Sequence, residues 1–373
     1  MSHQLTSLRI RNYRALEQLD VPSLARVNLI LGQNNVGKSS LLEALYLYAT
    51  RGVGLKNIFT LRGDEIPTFD VSESDILAKY ASLFTTRANE PIPRSSIAIS
   101  EMEETPAKRF LLSIERYTVE ETHDENGVSR ETRLAGIDEE IPLNQEQGYG
   151  LFMSTTKTGI TQLIPFFQTS LSTFGRKVNL DTCCFVSSSH LLLTEQPTPT
   201  PLSTLWQKIA LTPNEETVVQ ALSIIEPIKR IAFVDSNGAF GERFLVQNAL
   251  GQRVPIKNMG DGVNRIFTLA LSLVHAQNGF LFVDEFDNGL HYSVQAKLWE
   301  MILVMSENLN IQVFATTHSN DCIAALTEVL QQEKHSESGA IFRLQRTSSG
   351  KHIAVKFVSS ELNTAREHGI EIR

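Results

Sequence analysis

Lys38 is the residue whose chemistry is most legible, because of what surrounds it. The run Gly32-Gln33-Asn34-Asn35-Val36-Gly37-Lys38-Ser39 spaces two glycines, a lysine and a hydroxyl as a phosphate cradle requires. Glycines let backbone N–H groups converge on phosphate oxygens, Lys38 bridges the outer phosphates, and Ser39 offers its hydroxyl to a hard cation. The candidate phosphate-binding residues are therefore Gly32, Asn34, Asn35, Val36, Gly37, Lys38, Ser39 and Ser40.

Three further clusters are of types that could complete such a site. In Phe280-Leu281-Phe282-Val283-Asp284-Glu285, an apolar run ends on two carboxylates. Asp284 can hold magnesium through water, and Glu285 can orient or deprotonate an attacking water. Val313-Phe314-Ala315-Thr316 leads in the same way to Thr317-His318-Ser319, and His318 is placed to hydrogen-bond a γ-phosphate and that water. Asn258 to Arg265 reads as the start of a helix, where exposed N–H groups favour an anion. Gly260, Asp261 and Gly262 are the candidates there, although Asp261 also suits a plain helix cap.

The elements that must position these groups follow from hydrophobic period. Residues 5–15 alternate apolar and polar as a half-exposed strand does, and Val27 to Leu31 forms a buried one running into the glycine loop. Leu41, Leu42, Leu45, Tyr46 and Ala49 then recur at helical spacing, giving the order of strand, loop and helix. Beyond residue 230, apolar strands alternate with helices, the pattern of a mostly parallel sheet covered on both faces. The fold class is α/β, divided into residues 1–75, an inserted β-rich and helical arm over 76–211, and 212–373. An antiparallel β subdomain is expected beside the core sheet, and in the arm Phe110 to Val119 reads as a strand turning at Asp124 to Gly127. No sustained heptad occurs, which excludes a long coiled coil.

Bulk composition narrows the function classes. The 373 residues carry 34 Lys and Arg against 42 Asp and Glu, a net charge of -8. This argues against a surface broadly dedicated to nucleic-acid phosphates. Three cysteines, two of them adjacent, make no disulfide framework and no C-x-x-C pair, as in a reducing compartment. No 18-residue apolar stretch is present, so a cytoplasmic protein without membrane spans is expected.

The order of these motifs resembles the ABC-type ATPase heads of the OLD and RecF-like families. Ile10-Arg11-Asn12-Tyr13-Arg14 is similar to their first strand, and Gly289-Leu290-His291 to the segment after their acidic pair. The likeness covers roughly residues 1–55 and 228–330. It implies an ABC-type P-loop NTPase head that binds and hydrolyses ATP with Mg²⁺, with Ser39 and Asp284 at the metal and Glu285 and His318 in catalysis. It also implies a homodimer or higher even oligomer, Gly260 to Gly262 of one subunit reaching the γ-phosphate held by the other. Met259 stands where many such proteins have serine. A magnesium-contacting glutamine is expected in the arm, among Gln145, Gln147, Gln162 and Gln168. Arg265 either faces the partner, braces the motif or is a surface cation.

In the OLD family a Toprim nuclease follows the ATPase, and its Asp-x-Asp cluster does not occur after His318. The resemblance therefore implies a separate effector, a nuclease or a toxin, in anti-phage defence. Two other readings stay open: a RecF-like clamp that holds DNA, and an ATP-gated scaffold with negligible turnover.

Overall fold

The fold is taken from a computed structural model, which describes residues 5–64, 72–85, 93, 95–103, 109–124, 127–136, 139–142, 145–155, 160–165, 182–189, 191–196, 198–236 and 241–357. The N-terminal part contains β1 (Leu8–Tyr13), β2 (Leu16–Val21), β3 (Val27–Leu31), α1 (Lys38–Ala49), α2 (Leu55–Leu61) and α3 (Glu73–Ala81). Five strands follow: β4 (Ile97–Ser100), β5 (Arg109–Asp124), β6 (Gly127–Ala135), β7 (Gln147–Thr155) and β8 (Ile160–Pro165). Next come β9 (Cys183–Val186), β10 (Leu192–Thr194), α4 (Leu202–Ile209), α5 (Pro213–Leu222), β11 (Ile228–Ser236), β12 (Gly241–Asn248) and β13 (Arg253–Pro255). The chain continues through α6 (Asp261–His275), β14 (Phe280–Val283), α7 (Tyr292–Asn308), β15 (Gln312–Thr316), α8 (Asn320–Leu330), β16 (Gly339–Arg346) and β17 (His352–Phe357).

The central sheet has the order β10-β9-β14-β15-β3-β16-β17. From β9 to β16 every pairing is parallel, and an antiparallel strand closes each edge. Four of its inner strands are buried along their whole length: β9 and β14 are apolar runs throughout, and β3 and β15 are mostly apolar, with the buried Asn28 and Gln312 amides hydrogen-bonded to backbone groups. Such runs suit a parallel sheet covered on both faces and would be costly on a solvated one. One face packs on α1 and the β1–β8 sheet, the other on α6, α7 and α8. The second sheet, β2-β1-β4-β5-β7-β8 with β6 paired to β5, is antiparallel throughout.

Two features depart from the sequence reading. The strand expected to turn near Asp124 forms, but the segment from Ile97 to Pro165 continues the β1–β2 sheet through the β1–β4 pairing. Likewise β9 and β10, inside the span read as an arm, belong to the central sheet, with Cys183–Val186 in register against Phe280–Val283. The physical reason is that β9 is short and wholly apolar, so it is stable only where both its faces are covered.

Candidate nucleotide-binding site

The parallel strands β3, β9, β14 and β15 all end on one edge of the sheet, where open α/β folds gather their ligands. Each apolar run gives way there to polar residues: the glycine loop after β3, Ser187 after β9, Asp284 and Glu285 after β14, and Thr317 and His318 after β15. Between them lies a cavity of about 430 Å³. Asn34, Asn35, Gly37, Lys38, Ser39, Ser40, Asp284, Glu285 and His318 line it.

Gly32 and Gly37 have φ of 145° and 98°, values that favour glycine, and Asn35 is also left-handed. A Cβ at Gly32 would stand 2.5 Å from the Leu344 carbonyl oxygen, so the loop's close approach to β16 excludes any side chain there. Val36 is buried beneath the loop, and α1 begins at Lys38. Lys38 Nζ donates to the Gly32 and Gln33 carbonyls at 2.7 and 2.9 Å and lies 3.5 Å from His318 Nδ1. Burial lowers its pKa to about 8, although the carboxylates of Asp284 and Glu285 pull it upward.

Asp284 is held by two hydroxyls. Thr316 Oγ1 donates to Oδ1 at 2.6 Å, and Ser39 Oγ donates to Oδ2 at 3.1 Å. A serine hydroxyl and a carboxylate in contact are the hard oxygen donors that Mg²⁺ takes alongside phosphate oxygens and water, so the donor set fits that ion. Thr316 Oγ1 also accepts the Glu285 N–H at 2.9 Å, and Phe286 N donates to the Thr316 carbonyl at 2.8 Å. These bonds hold Glu285 at φ 48°, a left-handed conformation a glutamate adopts only under constraint, with its side chain exposed to the cavity. Burial first, and then the charge of Lys38, hold the His318 imidazole below its ordinary pKa. It is therefore the neutral form at pH 7.

Gly260, Asp261 and Gly262 do not line this cavity. Gly260, at φ 92°, precedes α6, so Asp261 is the first helical residue and not the cap. A Cβ at Gly260 would meet nothing within 4 Å, and Gly260 and Asp261 are both exposed. The motif packs against the segment after Glu285: the Gly289 carbonyl would lie 3.2 Å from a Cβ on Gly262.

Arg265 is fully buried, which rules out the surface-cation alternative. Its guanidinium donates to the carbonyls of Ser187, Asp284 and Glu285 at 3.0, 2.9 and 3.0 Å. It thus ties α6 to the ends of β9 and β14, the bracing alternative. Burial lowers its pKa to about 10, so it remains charged at neutral pH.

Among the described residues no glutamine lines the cavity. Gln145 and Gln147 belong to the β7 region, where Gln147 accepts from Arg116; the Gln162 side chain and all of Gln168 lie outside the described residues. Ser187, Ser188 and Ser189 occupy the cavity wall instead. Their signal was available: an apolar run followed by a polar cluster, as at β14 and β15. Also missed was Glu43, nearly buried on α1 and gripped by Tyr13, Arg14 and Arg62 at 3.0, 3.1 and 2.8 Å, with Arg62 on the cavity wall. A lone carboxylate inside the apolar run Leu41 to Leu47 was the hint.

The family profile described as "AAA domain, putative AbiEii toxin, Type IV TA system" matches residues 27–323. The chain belongs to that family. Among curated proteins it is similar to an "ATP/GTP phosphatase" of Helicobacter pylori, 22% identical over 387 residues, covering 96% of this chain and 99% of that protein. An uncharacterized protein of Methanocaldococcus jannaschii is 27% identical over 114 residues, or 26% of this chain and 52% of its own. Among solved structures, similarity extends to an SMC head bound to the C-terminal winged-helix domain of ScpA, with TM-score 0.48, 12% identity and coverage of 96% and 99%. It extends also to an SMC head with an extended coiled coil bound to a ScpA domain from Pyrococcus furiosus, with TM-score 0.49, 10% identity and coverage of 99% and 100%. Among the described residues no helix is long and apolar enough to cross a membrane, and the three cysteines are free and buried.

Proposed function

We propose that this family member is an ATPase of the ABC type that closes as a dimer around ATP and so controls a separate effector, a nuclease or toxin, in defence against phage. The observation that carries the reading is the meeting of Lys38, Ser39, Asp284, Glu285 and His318 around one cavity. The loop amides and Lys38 would hold the triphosphate, Lys38 exchanging its two loop carbonyls for phosphate oxygens. Ser39 and Asp284 would hold a magnesium ion, which would supply charge neutralisation for the transferring phosphoryl group. Glu285, fixed by the Thr316 and Arg265 contacts, orients a water and accepts its proton. His318, neutral, can accept a hydrogen bond from that water or donate one to the γ-phosphate.

Dimerisation is supported by the exposure of Gly260 and Asp261, which open a 15-residue helix yet do not reach the chain's own cavity. An N-terminus of that length favours an anion, and the phosphate of a second subunit is the anion this reading supplies. The toxin-system description of the family and the phosphatase name of the Helicobacter pylori relative support effector control and hydrolysis respectively.

The test is Glu285→Gln. It should retain ATP binding by calorimetry while slowing phosphate release roughly 100-fold or more, since a water-orienting base is lost. Turnover at the wild-type rate would refute Glu285 as the base.

A further inference from the structure

A second cavity, of about 400 Å³, lies between α4, α6 and the β12–β13 hairpin, apart from the nucleotide site. Its floor is aromatic: Phe244 and Phe267 meet edge to face with ring centroids 4.8 Å apart. Among the described residues its polar lining consists of Arg243, Lys257, Asn258, Asn264 and Thr268, without a carboxylate, on a chain whose net charge is -8. Beside it runs β13, which pairs with β12 on one side and is the edge of the β11-β12-β13 sheet. A cavity in the size range of ligand and anchor pockets, about 300–1,000 Å³, with an apolar floor and a cationic rim selects an apolar body carrying negative charge. An adjoining sheet edge favours an extended polypeptide over a small anion.

The cavity is also wired to the glycine motif. Asn264 lines it, and Asn264 Nδ2 donates to the Gly260 carbonyl at 3.1 Å. Lys257 and Asn258 sit on the single turn of 3-10 helix, residues 256–259, that ends where Gly260 begins. Gly260 itself has open space around it and the backbone latitude of a glycine at φ 92°.

We propose that this cavity is the docking site for an acidic peptide segment of a partner protein, anchored by a large apolar side chain, and that its occupancy repositions Gly260 to Gly262. The docking half stands on the cavity alone. The coupling half rests on the reading of those residues as the motif that closes an ATP site.

The probe is a random nonapeptide display library, selected against the full chain without nucleotide. Enriched peptides are resynthesised with a fluorophore and titrated by anisotropy. Acidic peptides with an aromatic or large aliphatic anchor should enrich. Their binding should weaken at least tenfold in Lys257→Glu, which reverses the rim charge, and in Thr268→Trp, which fills the cavity. Unchanged thermal melting and ATP binding in both variants would show that they fold. No enrichment, enrichment of basic peptides, or binding indifferent to both variants would overturn the docking site. Concentration-dependent self-association of the wild type, lost in the same variants and without peptide, would overturn it in favour of a second copy as occupant. For coupling, a saturating peptide should change steady-state ATP turnover at least threefold in the wild type and leave Lys257→Glu unaffected. Peptide binding with unchanged turnover would overturn the coupling. Because docking is read without nucleotide, failure of the ATPase assignment in Glu285→Gln remains distinguishable from failure of the pocket.

Discussion

Binding of ATP should take up protons at mildly alkaline pH, and the amount follows from Lys38. In the nucleotide-free site burial lowers its pKa to about 8, against the opposing pull of Asp284 and Glu285. Triphosphate oxygens beside Nζ favour the ammonium form and raise that pKa, so binding draws a proton from solvent in proportion to the neutral fraction. With a pKa of about 8, that fraction is about one tenth at pH 7, about one half at pH 8 and about nine tenths at pH 9. The same equilibrium weakens apparent affinity as pH rises, by about twofold at pH 8 and about elevenfold at pH 9 relative to the acidic limit. The phosphates of ATP are already ionised at pH 8 and do not mask the effect. The assay is titration calorimetry at pH 8 in buffers of different ionisation enthalpy. The slope of observed enthalpy against buffer enthalpy counts the protons, and about half a proton taken up is expected. Lys38→Arg keeps its charge throughout and should bring the slope to zero at any affinity it retains. A zero slope in the wild type, or proton release, would refute a lysine partly neutral in the resting site.

Arg265→Met removes three charge-assisted bonds and strands buried carbonyls, so urea melts should show a loss of about 3–5 kcal/mol. With the Glu285 backbone released, turnover should fall on the order of 10–100-fold, with partial rescue by Arg265→Lys; a stability loss at unchanged kcat would mean the brace does not position the carboxylate. Gly260→Arg and Lys38→Ala should each be inactive, and their mixture should recover at most one working site per heterodimer. Native mass spectrometry showing heterodimers without recovered activity would exclude the trans arrangement. Burial and the Lys38 charge hold His318 below the ordinary imidazole pKa, so kcat should hold steady at neutral pH and fall only on acidification through that lowered value, a limb absent from His318→Gln. The sign for stability is the same: as pH drops below the unfolded imidazole value, the unfolded chain takes the proton first and the fold loses stability.

What the sequence determined by itself is local chemistry and the elements that carry it. The loop from Gly32 to Ser39 was legible because its function lies in backbone conformation, and glycine spacing encodes that conformation directly. The strands Val27–Leu31, Phe280–Val283 and Val313 to Thr316 were legible because a strand covered on both faces is apolar over most of its length. The tertiary structure decided which distant groups meet. Pairing between Cys183–Val186 and Phe280–Val283 joins residues about a hundred positions apart, and parallel register leaves no mark in either segment alone. That pairing brings Ser187 to Ser189 to the cavity where a glutamine was expected. The role of Arg265 was equally hidden, since one turn into a helix it has the same local sequence whether it faces solvent or three buried carbonyls. Glu43 on α1 meets Arg62 at the end of α2 only in the folded chain, and the burial of the Glu43 carboxylate is a property of the packing. Local sequence fixes what a residue can do; the long-range contacts that bury it decide what it does.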